Sequence, residues 1–393
     1  MNKAKRMERK MKKKILAVIV GMTMIMLAGC GETAEEVTTQ EVPEVTTEAA
    51  IEDELAEAMG NGEILSKGPN GEDATPATEL SLTDEEKAKI REGNYTAAIA
   101  LHYGGNDWST SQVKGLTDTF TDLGIEIVAM TDANFSAEQQ VSDIETIMAK
   151  TPDILVSIPT DATATADAYK KASEAGIKIV FMDNVANDMV AGVDYVSCVS
   201  ADNYGNGIIA ADLIGEELGG KGKIGIVRFD ADFFVTNQRL EAFEKQMEEK
   251  YPNIEIVSSL GFTDENACAE LADAMLTQHP DIQAIFAHWD IPAEGVLSAL
   301  RAAGREDVVL SSIDLGNNIA KEIAEGNVLG VGAQLPYDQG VAEATLAAYA
   351  LLEKDAPPYV AVAAKRVDST NILQAYEDVY HVPAPAWLIE AAN

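Results

Sequence analysis

The chain has 393 residues and a formal net charge of −36, which leaves room for two compact domains plus non-globular segments. So acidic a chain is repelled by nucleic acid and by anionic lipid surfaces. Its three cysteines, Cys30, Cys198 and Cys268, cannot build a disulfide framework, so stability must come from apolar cores, for which the chain is long enough.

Residues 1–30 read as a lipoprotein signal peptide. Lys10, Lys12, Lys13 and Lys14 form a basic start, and Ile15 to Leu27 is an apolar run too short to span a bilayer comfortably. The run ends in Leu27-Ala28-Gly29-Cys30, a lipobox whose cysteine would become the lipidated N-terminus. Residues 31–93 are rich in Glu, Thr, Ala and Pro with few aromatics. Such composition cannot bury enough apolar surface to fold alone, and it predicts an acidic disordered tether.

From about Asn94 short apolar runs alternate with amphipathic stretches. TAAIAL (96–101), IEIVAM (125–130), DILVSIP (153–159) and IKIVFMD (177–183) predict strands. Val113, Leu116, Phe120 and Leu123 share one face of an intervening helix; Val141, Ile144, Ile147 and Met148 share a face of another. The pattern restarts with KIGIVRF (223–229), IEIVSSL (254–260), IQAIFAHW (282–289), VVLSSID (308–314) and VLGVGAQ (328–334). Continuous Val/Ile-rich strands separated by helices are buried on both faces, as in parallel sheets. Two such runs, broken by YVSCVSADNYGNG (195–207), predict two doubly wound α/β lobes, with a single barrel as the alternative.

Ligands of open α/β sheets bind beyond the carboxyl ends of the strands. The residues there include Asn106 and Trp108, Asp183 and Asn184, Phe262, Trp289, Asp314 and Gln334. Carboxylates and amides hydrogen-bond hydroxyl groups, and aromatic faces cover the C–H side of a sugar ring. Some acids and amides after strands are helix caps instead, as expected for Asp161 and Asn317. Arg239 falls on a helical stretch and reads as structural. The four histidines, His102, His279, His288 and His381, have no metal-ligand spacing. The sequence also lacks a nucleophile elbow, a P-loop and a dinucleotide fingerprint, so it reads as a binding protein rather than an enzyme, without a cofactor.

Residues 97–367 resemble the type I periplasmic binding proteins, near the ribose- and polyol-binding branch of ABC sugar importers. The likeness is carried by IPTDA (158–162), FMDN (181–184), SADN (200–203), HPDIQAIFAHWD (279–290), SSIDLG (311–316) and GAQLPYDQG (332–340), in family order. It implies two lobes joined by a three-crossing hinge: residues 94–201 plus 335–360 in the first, 202–334 plus 361–393 in the second. The crossings would lie near Ser200–Asp202, Gln334–Leu335 and Ala361. It also implies a ligand site of Asn106, Trp108, Asp183, Asn184, Asn237, Phe262, Trp289, Asp314 and Gln334. Asn184 and Asn237 stand where the ribose binders place arginines, which implies a neutral sugar or polyol. The implied partners are an ABC permease with its cytoplasmic ATPase, and the membrane only through the lipid on Cys30. The protein is expected as a monomer on the outer face of the cell membrane or in the periplasm. The alternative role is a sensor presenting ligand to a receptor kinase or chemoreceptor. A sugar-responsive repressor shares the lobes but would need a basic DNA-binding helix pair in place of the signal and tether.

Overall fold

Thirteen strands among the described residues form two sheets, each wound on both faces by helices. The computed structural model describes residues 63–393; the signal peptide, Cys30 and residues 31–62 lie outside the described residues. In the first lobe the strands are β1 (Thr75–Pro76), β2 (Thr96–Leu101), β3 (Glu126–Asp132), β4 (Ile154–Ser157), β5 (Lys178–Met182), β6 (Ser197–Ala201) and β12 (Tyr359–Val362). They pair in the order β1-β12-β6-β5-β4-β2-β3, parallel throughout. One face packs under α2 (Asp107–Asp122) and α10 (Pro336–Leu351), through Leu116, Phe120, Leu346 and Ala347. The other packs under α3 (Ala137–Met148) and α4 (Ala166–Glu174), through Ile144, Ile147 and Tyr169.

The second sheet contains β7 (Lys221–Phe229), β8 (Asn253–Phe262), β9 (Ala284–Ala287), β10 (Val309–Ile313), β11 (Gly330–Ala333) and β13 (Lys365–Asp368), in the order β13-β11-β10-β9-β7-β8. It is parallel except at β13, which runs antiparallel to β11. Helices α5 (Asn203–Leu218) and α6 (Phe234–Lys250) cover one face; α7 (Cys268–Gln278), α8 (Asp290–Ala302), α9 (Asn317–Ala324) and α11 (Ile372–Tyr380) cover the other. A last helix, α12 (Ala386–Ala392), closes the chain. Cys198 in β6 and Cys268 at the start of α7 are buried and free. This is the two-lobe architecture rather than the barrel. Where α2 and α10 cross, a Cβ on Gly115 would lie 2.1 Å from the Tyr337 carbonyl oxygen, and one on Gly340 2.2 Å from that of Gln112. Only glycine permits the two backbones to approach so closely.

The chain passes between the sheets three times. Asp202 links β6 to α5, Gln334 and Leu335 link β11 to α10, and residues 363–364 link β12 to β13. The last crossing lies beyond its expected place, because Ala361 still pairs with Ser200 in the first sheet.

Residues 63–93, expected to belong to the tether, are folded onto this frame. β1 adds an edge to the first sheet beside β12. Ser66 donates its backbone N–H and its hydroxyl to Asp202 Oδ1, both at 2.9 Å, at the first crossing. Gln238 of α6 donates to the Lys67 carbonyl at 2.9 Å. Helix α1 (Asp84–Gly93) begins in a capping box between Thr83 and Glu86 and buries Ile90 in the first core. Composition tests whether a segment can build its own core; this one docks on a core already made. Its Thr-Asp-Glu-Glu start was a readable helix signal.

Candidate functional site

The carboxyl ends of both sheets face one cleft between the lobes, the edge at which open α/β sheets bind ligands. Its walls hold Asn106, Trp108 and Asp183 from the first lobe, Trp289 and Asp314 from the second, and Gln334 from the hinge. The lobes touch across the cleft. Asp107 of α2 accepts from the Asn317 backbone N–H at 2.7 Å and side-chain amide at 2.8 Å, at the start of α9.

Asp183 follows β5 and Asp314 follows β10, and both sit on left-handed backbone, φ 54° and 70°. Such strain in a non-glycine residue persists only where surrounding structure enforces it, and it concentrates at functional sites. Ser200 donates to Asp183 Oδ1 at 2.7 Å, and Gln334 Nε2 donates to Asp314 Oδ1 at 2.7 Å. Burial pushes the Asp183 carboxyl up to about 6, against the opposing pull of Ser200 and Arg239. Asp314 is raised by the same burial, opposed by Arg239 and Gln334. Asp290, at the first turn of α8, also lines the cavity and is raised well above the carboxylate range by burial and by Asp314.

Arg239, which reads as structural in the sequence, also brings a cation to the cavity. It is buried and lines the cavity. Its guanidinium donates to Asn203 Oδ1 at 2.8 Å and to the His288 carbonyl at 3.3 Å, and lies 3.5 Å from Asp314. It is therefore occupied by protein partners, and three carboxylates face it across one cavity.

Three of the expected site residues do not line the cavity. Asn237 turns aside to bond Asp232 at 3.0 Å; it lies two residues from Arg239, about half a helical turn, so the two side chains leave α6 on opposite faces. Asn184 is buried beside Asp183 but does not reach the cavity wall. Phe262 lies behind the wall, 5.1 Å from the Trp289 ring, and supports it. Asn106 does line the cavity, while its side chain caps α2 through the Ser109 N–H at 2.7 Å.

Aromatic residues missed in the sequence complete the walls. His102 and Tyr103 follow β2 directly, Phe229 ends β7, and Phe233 precedes α6. His102 and Phe233, from opposite lobes, stack with centroids 6.0 Å apart. Burial holds His102 neutral, its pKa pushed down to about 3. The signal was the strand ends themselves: the first and last residues at each carboxyl edge face the cleft as surely as the loops beyond them. Among the described residues no cluster of three or more His, Cys, Asp or Glu side chains could hold a metal ion, and no helix is long and apolar enough to cross a membrane.

Residues 97–355 match the family model described as the periplasmic binding protein domain. The chain is 28% identical over 260 residues to the ribose import binding protein of Salmonella typhimurium, covering 66% of this chain and 85% of that one. It is 29% identical to the D-ribose/D-allose-binding protein of Pseudomonas aeruginosa, covering 67% and 76%. A solute-binding protein from Actinobacillus succinogenes, solved with bound D-allose, superposes with a TM-score of 0.66 at 25% identity, over 71% of this chain and 99% of that one. The match spans both lobes and the first two of the three crossings, and on it the chain belongs to the periplasmic binding protein domain family, as a solute-binding protein of the ribose-like branch and not an enzyme.

Proposed function

We propose that the protein captures a neutral sugar or polyol between its lobes and presents it to an ABC permease driven by a cytoplasmic ATPase. The carrying observation is the pair Asp183 and Asp314, one from each sheet, each held on strained backbone at the edge of one cavity. A carboxylate accepts two hydrogen bonds from neighbouring hydroxyls, and Trp108 and Trp289 offer ring faces to the carbon skeleton from either side. The relatives named for ribose and D-allose import support the same reading. Asp183 and Asp314 beside a guanidinium already bonded to protein partners disfavour anionic ligands. A thermal-shift screen of sugars, polyols and sugar phosphates tests it: a neutral ligand at 100 times its Kd should add about 2.7 kcal/mol of stability. A sugar phosphate as the best ligand would overturn the charge argument.

We further propose that Cys30 is diacylated and anchors a monomer on the outer face of the membrane. Residues 31–62 would then be the length of chain between anchor and lobes. Mass spectrometry of the mature N-terminus should find lipid on Cys30; an unmodified N-terminus at another residue would rule this out.

A further inference from the structure

Helix α9 begins without a cap of its own. Its N-cap position is Gly316, which has no side chain to accept from the first turn, and the N–H groups of a first turn have no partner within their helix. The position is also too crowded for one: a Cβ on Gly316 would lie 2.1 Å from Asp290 Oδ2. Asn317, expected as the cap, is instead the first residue of the helix. The acceptor comes from the other lobe. Asp107 Oδ2 accepts from the Asn317 backbone N–H at 2.7 Å, and Asp107 Oδ1 from the Asn317 side-chain amide at 2.8 Å. Tyr376 of α11 donates its hydroxyl to Asn317 Oδ1 at 2.8 Å, which holds the amide with its N–H groups toward Asp107.

Asp107 is not on the cavity wall, but both ends of this contact adjoin it. Its chain neighbours Asn106 and Trp108 line the cavity, and so does Asp314, just before Gly316. Helix α2 does not need the Asp107 carboxylate as its cap, because Asn106 already accepts from the Ser109 N–H at 2.7 Å. α2 starts after β2 and α9 after β10, so the two helix starts stand on the carboxyl edges that face each other across the cleft. The contact exists only while those edges are together.

We infer that Asp107 is a positioning residue that sets ligand affinity without touching the ligand: it supplies, from the opposite lobe, the N-cap that α9 lacks, and does so only when the lobes are closed. This rests on the reading of the cleft as the ligand site. Opening returns the Asn317 donors and the Asp107 carboxylate to water; closing replaces that hydration with charge-assisted hydrogen bonds. A contact made only in the closed form raises the share of ligand-competent protein and tightens the apparent affinity accordingly. Because it joins the Trp108 side of the cavity to the Asp314 side, it also fixes the spacing of the two walls.

The test uses the soluble protein with D-ribose and D-allose as probes. Asp107→Ala should bind the tighter probe about tenfold more weakly, mostly through faster release. Asp107→Asn, an equally good cap, should recover most of that loss. Unchanged affinity in Asp107→Ala would overturn the inference. A second measurement needs no ligand: amide hydrogen exchange followed residue by residue by NMR. In the ligand-free protein the Asn317 N–H should exchange faster in Asp107→Ala than in the parent. The Ala320 N–H, bonded to the Gly316 carbonyl at 2.8 Å within α9, should exchange equally in both. Equal rates at Asn317 would overturn the cap, and lost protection at Ala320 as well would reduce Asp107 to holding α9 folded and overturn the positioning role. Failure of both probes on the parent, with Asn317 exchanging as expected, would instead remove ribose and allose from the proposed function and leave Asp107 as the cap across the cleft.

Discussion

Replacing Arg239 with leucine should cost the second lobe about 3–5 kcal/mol, the range for breaking a buried ion pair by removing one partner. The guanidinium donates to Asn203 Oδ1 at 2.8 Å, and it faces the Asp314 carboxylate at 3.5 Å and the His288 carbonyl at 3.3 Å. Leucine fills much of the volume but removes the donor from Asn203 Oδ1 and the cation from Asp314, which keeps only the Gln334 amide. Urea unfolding followed by circular dichroism measures the loss, and a change below about 1 kcal/mol would mean that the network relaxes around the gap. Arg239 also reaches the cavity wall, so ligand affinity should fall in the same variant. The two effects belong together, because the group that neutralises Asp314 also fixes where that carboxylate points.

Asp183→Ala is expected to act on binding instead. Removing a carboxylate that accepts from ligand hydroxyls should cost about 1.5–3 kcal/mol, or roughly ten- to 150-fold in affinity. The lobe should stay folded: Asp183 carries an uncompensated burial cost in the empty protein, which is why its pKa stands near 6. That value also sets the sign of the pH dependence. The ligand-free carboxyl keeps its proton until pH rises past about 6, whereas hydroxyl donors on a ligand favour the ionised form. Binding therefore releases protons, and affinity should fall as pH drops through that value. Asp183→Asn should flatten the profile, leaving the part contributed by Asp314 and Asp290, both of which are raised as well. Calorimetric titration across the pH range decides. Parent-like affinity in Asp183→Ala would place the ligand elsewhere, and affinity that rises in acid would reverse the assigned role of the carboxylate.

The alternation of apolar strands and amphipathic helices was legible from residues alone, because a parallel strand buried on both faces must be apolar throughout. So was the restart after residue 207, and with it the two lobes. Asp183, Trp108, Trp289, Asp314 and Gln334 could be named for the cavity because each follows a strand, and parallel sheets gather their carboxyl ends on one edge. What the sequence could not decide is which side chain on a turn of helix looks inward. Asn237 and Arg239 are two residues apart on α6, and only packing of that helix against β7 and β9 sends Arg239 into the cleft and Asn237 toward Asp232. Residues 63–93 look like tether because their own composition cannot make a core; they are ordered by Ser66 on Asp202, β1 on β12 and Ile90 in the first lobe. Local pattern determined the elements and the edge on which chemistry gathers. Contacts between side chains of different elements decided which groups share the cavity, because a buried charge takes its place from partners, such as Asn203 and His288 around Arg239, that only the folded chain brings near.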